Sequence, residues 1–257
     1  MVPVCIIARM PLGCKADRFS APGRDGLLTP EVRFSGRRWA ARKGFWRPEA
    51  KFIFRNENIL RSGEDNGLPE EVLPGLFRVE VPLPQNPLKA LNSYVITGKR
   101  HLIIDTGFNH PECLAAIRAG LAALDIDLTR TDFFITHVHA DHSGLVAALK
   151  TPSSCVWASA ADARAINRII SLTAADPWWE ERIEFARRNG FPAAEAEEAV
   201  RRHPGFRQAP KNPVDFTVVR DGDEITAGGY RFACFLTPGH TPGHMCLYEP
   251  ERKILMA

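Results

Sequence analysis

The chain has 257 residues, 45% of them hydrophobic, with 33 Lys and Arg against 30 Asp and Glu and a formal net charge of +3. That length and apolar content suffice for one domain with a substantial core. No apolar run approaches the ~20 residues that cross a bilayer, which argues against a membrane-spanning helix and a membrane partner.

The charge is unevenly spread. Residues 1–62 carry 13 basic and 5 acidic residues, a balance of +8, and the rest of the chain balances at −5. A mildly acidic body disfavours a broad track for nucleic acid. The first 62 residues show no periodicity and scatter Pro, Gly and Arg throughout. Their basic stretch from Arg37 to Arg47 would suit a nucleic-acid arm or a targeting segment, but the plainer reading is a disordered extension. Val2–Ala8 is too short, and lacks a basic leader, to be a signal peptide. Cys5, Cys14, Cys113, Cys155, Cys234 and Cys246 form no C-x-x-C pair, and read as reduced thiols of a cytoplasmic protein.

From residue 63 the pattern becomes that of a folded α/β domain. Leu76–Leu83, Ser93–Thr97 and Leu102–Asp105 alternate or run apolar as strands do, with turns at Pro84–Pro87 and Gly98-Lys99. Pro111–Leu124 places Leu114, Ile117, Leu121 and Leu124 at helical spacing. Phe133–Thr136 reads as a buried strand, and Ser143–Leu149 as the opening of a helix. A short strand at Cys155–Ala158 follows.

Residues 159 to about 205 look helical, with breaks at Asp176-Pro177 and Gly190-Phe191-Pro192. We read about 159–213 as a helical insert, because so long a connection on a rigid scaffold often shapes a pocket. Trp178, Trp179 and Phe185 with Arg182, Arg187 and Arg188 would then form a lid with an aromatic floor and an anion-binding rim. The plainer reading has the Trp pair packing the insert down and the arginines facing water. Strands resume at Phe216–Arg220, Tyr230–Leu236, Met245–Tyr248 and Lys253–Met256.

Two clusters carry the chemistry. Thr136-His137-Val138-His139-Ala140-Asp141-His142 puts four metal-binding side chains on a strand-to-helix turn. His137 and His139, two apart on extended backbone, can point the same way and share one ion. Asp141 and His142, past the bend, can reach a second. The other cluster is Thr237-Pro238-Gly239-His240-Thr241-Pro242-Gly243-His244, where Pro and Gly hold His240 rigidly, as a ligand requires. Three histidines with an open fourth position make a catalytic rather than structural zinc site. Such a site generates hydroxide at neutral pH. Iron or manganese also suits imidazole with carboxylate.

These motifs closely resemble the metallo-β-lactamase superfamily, nearest its hydrolase branches around glyoxalase II. The resemblance implies a four-layer αββα sandwich with two zinc ions per site. His137, His139 and His240 would bind the first ion, and Asp141 and His142 the second. Asp141 would also orient the nucleophile and accept its proton. His244 is read as a packing neighbour or a further participant. Ile104-Asp105-Thr106-Gly107 matches a family pattern in which the Asp braces the metal loop, although a simple strand-end turn fits as well.

The same resemblance leads us to expect a Gly-Asp after Met256, and a later histidine, to complete the second site. On that basis the C-terminal half of the fold is expected to be incomplete, the chain a fragment that folds poorly, and its activity low. The expected reaction is hydrolysis of a small ester, thioester or lactone, with an anionic substrate admitted. The alternatives are a mononuclear iron persulfide oxygenase, a nucleic-acid-processing nuclease of the same fold, and an inactive fragment.

Overall fold

The computed structural model describes residues 68–172 and 175–257, together with three short upstream strands: Ala8–Arg9 (β1), Val32–Phe34 (β2) and Arg37–Trp39 (β3). The extension expected over residues 1–62 otherwise lies outside the described residues. Downstream the chain runs through β4 (Glu70–Leu73), β5 (Leu76–Pro82), β6 (Ala90–Ile96), β7 (His101–Ile104), α1 (Pro111–Ala123) and β8 (Thr131–Phe134). Two single turns, α2 (Ala140–Ser143) and α3 (Val146–Leu149), precede β9 (Val156–Ser159). Four helices follow: α4 (Ala160–Ser171), α5 (Trp178–Arg188), α6 (Ala193–Arg201) and α7 (Pro204–Arg207). The last five strands are β10 (Thr217–Val219), β11 (Glu224–Ala227), β12 (Tyr230–Leu236), β13 (Met245–Glu249) and β14 (Ile254–Met256).

Two sheets organise all the strands but β2 and β3, which pair with each other. The larger has the order β10-β9-β8-β7-β6-β5-β4, and the smaller β1-β14-β13-β12-β11. Strands β7 to β10 are parallel, joined through helices, while β4 to β7 form an antiparallel meander. The two-residue period of the strands sends alternate side chains into two cores. Val79, Val81, Val95, Ile103, Phe133 and Val156 pack beneath Ile117 and Leu121 of α1 and Ile166 of α4. Leu76, Tyr94, Ile96, Leu102, Ile104 and Phe134 meet Phe232, Cys234, Met245, Leu247, Ile254 and Met256 of the smaller sheet. This helix–sheet–sheet stacking forms three of the four layers of the expected αββα sandwich, and among the described residues the helices pack on the larger sheet.

Local chemistry explains most boundaries. α1 opens on His110, whose Nδ1 accepts from the Glu112 N–H, with Pro111 at its first position. α4 opens on Ser159, whose hydroxyl accepts from the Asp162 N–H at 3.2 Å. The helix expected over Ser143–Leu149 is instead split between α2 and α3. Its break is at Leu145, whose N–H donates to Gly107 O (3.1 Å) and Thr106 Oγ1 (3.2 Å) rather than within its own helix.

Gly144 is the tightest point of that break. A Cβ there would lie 2.5 Å from the carbonyl oxygens of both Ala140 and Gln208. Tertiary contact thus overrides helical periodicity. Among the described residues, no helix is long and apolar enough to cross a membrane.

Candidate metal centre

The site forms where the parallel strands β7 and β8 end, the usual place for ligands in open α/β sheets. β7 delivers Asp105 and β8 leads into His137, and the turn between β12 and β13 carries His240. The structure brings His137, His139 and His240 together, with one ligand atom from each lying within 4.8 Å of the others. His137 Nε2 is 3.2 Å from His139 Nδ1, and His240 Nε2 is 2.8 Å from the same atom. One imidazole nitrogen facing two others cannot be satisfied by a single shared proton. One cation between the three satisfies them all.

The tautomers agree with that reading. Thr136 Oγ1 donates to Asp105 Oδ2 at 2.8 Å, so it accepts from His137 Nδ1 at 3.0 Å. The neutral His137 ring then turns an Nε2 lone pair into the cluster. His142 is fixed in the same way: its Nδ1 lies 2.7 Å from Asp105 Oδ2. Its Nε2 is buried without a hydrogen-bond partner. An orphaned, fully buried acceptor carries a desolvation cost unless a ligand meets it. The Asp141 carboxylate sits 3.6 Å from that nitrogen, so this pair also offers donors to a cation. The His137 and His142 ring centroids are 3.9 Å apart, which makes the two donor sets neighbours.

Electrostatics favour the neutral form of His137 and His139. Burial, and then the surrounding His142, His139, His244 and His240, hold His137 far below the ordinary imidazole range. Burial, then His240, lowers His139 against the opposing pull of Asp141. Burial also pushes His142 down, but the Asp105 carboxylate outweighs it and holds this ring above its usual value. His244 is lowered by burial and His240, and its Nδ1 lies 2.8 Å from Thr237 Oγ1.

Two buried carboxylates brace these loops. Asp105 accepts from the Thr136 N–H at 2.9 Å as well as from Thr136 Oγ1 and His142. Its own φ is +60°, a left-handed conformation that costs roughly 1–3 kcal/mol in a non-glycine residue. The simple strand-end turn is therefore insufficient as an account of this residue. Asp162, in the first turn of α4, was not singled out from the sequence. The Ser159-x-x-Asp162 spacing announces a helix start, but nothing in it shows that the carboxylate faces the metal loops.

The aromatic residues of the helical stretch pack on one another. Trp178 and Trp179 each meet Phe206 of α7 edge-on with centroids 5.0 Å apart, and Arg182 lies 4.9 Å over the Trp178 ring. Arg188 pairs with Glu184. The Trp pair is thus the small core of this stretch, and Phe185 stands exposed away from it. The stretch is fastened to the β7–α1 loop by the backbone and side chain of Asn109. Asn109 N–H donates to Gln208 O (3.0 Å), and Asn109 Nδ2 donates to Ala209 O (3.1 Å).

Residues 87–257 match the family model of the metallo-beta-lactamase superfamily. The chain belongs to that superfamily. A lactamase-like protein of Penicillium aethiopicum is 28% identical over 204 residues, covering 76% of this chain and 50% of its own length. A protein of Aquifex aeolicus is 28% identical over 178 residues, 68% of this chain and 67% of its own. An atrochrysone carboxyl ACP thioesterase of Aspergillus novofumigatus is 41% identical over 80 residues, 29% of this chain and 23% of the relative.

Among solved structures, a metallo-beta-lactamase family protein of Thermus thermophilus superposes with a TM-score of 0.58 at 26% identity, covering 70% of this chain and 57% of that one. The chain thus spans half to about two thirds of the length of the Penicillium, Aquifex and Thermus proteins. The superfamily fold implies a divalent metal ion, and the histidine cluster supplies the donors for one.

Proposed function

We propose that this chain carries the catalytic centre of a metal-dependent hydrolase that acts on a small ester, thioester or lactone. The observation that carries this reading is the convergence of His137, His139 and His240 beside the orphaned Nε2 of His142. Relatives named as acyl-carrier thioesterases, matched over short segments, favour a thioester among the three substrate classes. The three histidines hold the first ion, and Asp141 with His142 offers donors to a second. Zinc suits this donor set, and iron or manganese fits it as well.

When bound, such an ion acidifies coordinated water and polarises the carbonyl it faces. The protein's own groups do the rest. Thr136 and Asp105 hold the His137 and His142 rings in the tautomers that present lone pairs. Asp141 is only partly buried, so its free oxygen can orient a water and take up its proton. The substrate is a small molecule, and the acidic body leaves nucleic acid disfavoured.

The test is thiol release from a short acyl thioester by the purified chain, before and after chelation and with zinc restored. Hydrolysis that chelation abolishes, zinc restores and His137→Ala lowers by about 100-fold or more is the expected result. Turnover indifferent to chelator and to His137 would overturn the proposal.

A further inference from the structure

Asp162 is 1% exposed, and no cation faces it in an ion pair among the described residues. A carboxylate buried on those terms must be held by hydrogen-bond donors. Its donors come from two distant loops. Oδ2 accepts from the Val138 N–H at 3.0 Å and from Thr241 Oγ1 at 2.7 Å, and Oδ1 accepts from the Gly243 N–H at 3.1 Å. Val138 lies between the ligands His137 and His139. Thr241 follows the ligand His240, and Gly243 closes the same turn.

The approach is close by construction. A Cβ on Gly243 would lie 2.1 Å from Ser159 Oγ and 2.6 Å from Asp162 Oδ1. Only a residue without a side chain lets this turn sit on the start of α4. The α4 cap completes the arrangement, because Ser159 Oγ accepts from the Asp162 N–H and fixes the first turn that aims the carboxylate.

The two buried carboxylates therefore differ in what they join. Asp105 ties together groups of one loop, Thr136 and His142. Asp162 ties one ligand loop to the other across about a hundred residues of sequence. The geometry points to Asp162 as the positioning residue that sets His240 against His137 and His139, and so determines the affinity of the first ion site. This assignment rests on the metal-site reading above.

The experiment measures zinc affinity of the full chain by competition with a chromophoric chelator, for wild type, Asp162→Asn and Thr241→Val. The unfolding midpoint of each metal-free protein is recorded alongside. Asp162→Asn turns an amide N–H toward backbone and hydroxyl donors, and Thr241→Val removes one hydroxyl without touching the carboxylate.

We expect the first zinc to weaken about 10–100-fold in Asp162→Asn and by a smaller factor in Thr241→Val, the scale of lost supporting contacts around a metal. The absorption bands of bound cobalt should change in both. If Asp162→Asn fails to fold, Thr241→Val carries the same test. Unchanged zinc affinity and cobalt spectrum in folded variants, with only the metal-free midpoint lowered, would show a purely structural carboxylate and overturn the inference. A wild-type chain that binds no ion would overturn the metal-site reading and this inference together.

Discussion

Asp105 Oδ2 lies 2.7 Å from His142 Nδ1, and the same carboxylate receives the hydroxyl and the backbone N–H of Thr136. One buried residue in a left-handed conformation thus fixes both a ring and the backbone that leads into the first ligand. Replacing it by Ala leaves at least two buried donors unmet, each costing about 1–3 kcal/mol. Asp105→Ala should lose roughly 3 kcal/mol in urea unfolding, and Asp105→Asn should lose less. A loss under 1 kcal/mol for Asp105→Ala would contradict the bracing role.

His240 is exposed and contributes little to the core, so His240→Ala separates ligation from stability. The metal-free variant should unfold within about 0.5 kcal/mol of wild type, as surface substitutions do. Its zinc-dependent gain in melting temperature should largely vanish. Calorimetry with and without zinc reads both quantities.

Acid should weaken the metal-free fold through the histidine cluster. His137, His139 and His244 are held below their ordinary values, so the unfolded chain takes up protons near pH 6.5 that the folded chain refuses. Stability from these rings is present above that pH and is lost as pH falls through it. His142 acts with the opposite sign: its raised value stabilises at low pH, and that contribution is lost as pH rises through the folded value. With three rings against one, the urea midpoint should fall between pH 7.5 and 5.5. His137→Asn should flatten that dependence, and an equal slope in the variant would contradict the assignment.

Gly144 tests how the helical stretch is held to the metal loop. A methyl group there meets two backbone oxygens at 2.5 Å, neither of which can rotate away. Gly144→Ala should cost about 1–3 kcal/mol, the range for overpacking a filled site, even though Ala is the better helix former. Equal or higher stability would mean that the stretch yields freely at Gln208.

Burial holds Cys234 up to about 12, while the Cys155 side chain is only partly covered. Iodoacetamide at pH 8 should therefore spare Cys234 until the protein unfolds, and should modify Cys155 before the buried Cys113, Cys234 and Cys246. Peptide mass mapping of a time course shows the order.

Much of this architecture was legible in the sequence because strands and helices on a buried core carry their own periodicity. Tyr230–Leu236 and Pro111–Ala123 fall almost where the pattern placed them. Besides the three short strands β1 to β3 upstream of residue 63, two strands were not read. In β4, Glu-Glu-Val-Leu lies at the edge of the larger sheet, so only part of it is covered and alternation is lost. β11 has one buried side chain in four, Ile225, and its pairing is set by the Gly228-Gly229 turn.

In the site, His137, His139 and His240 could be named because Pro, Gly and the His spacing mark them locally. Asp162 could not, because its partners at Val138, Thr241 and Gly243 are brought to it only by the fold. The break at Leu145 was hidden for the same reason, since the Gly107 carbonyl that captures its N–H belongs to another strand end.

Three imidazole nitrogens from two loops are positioned to hold one ion. Crystals of the zinc-loaded chain, with data at the zinc absorption edge, test it most directly. An anomalous peak is expected within about 2.0–2.1 Å of His137 Nε2, His139 Nδ1 and His240 Nε2 together. No peak among these three nitrogens in a folded, zinc-saturated chain would contradict it.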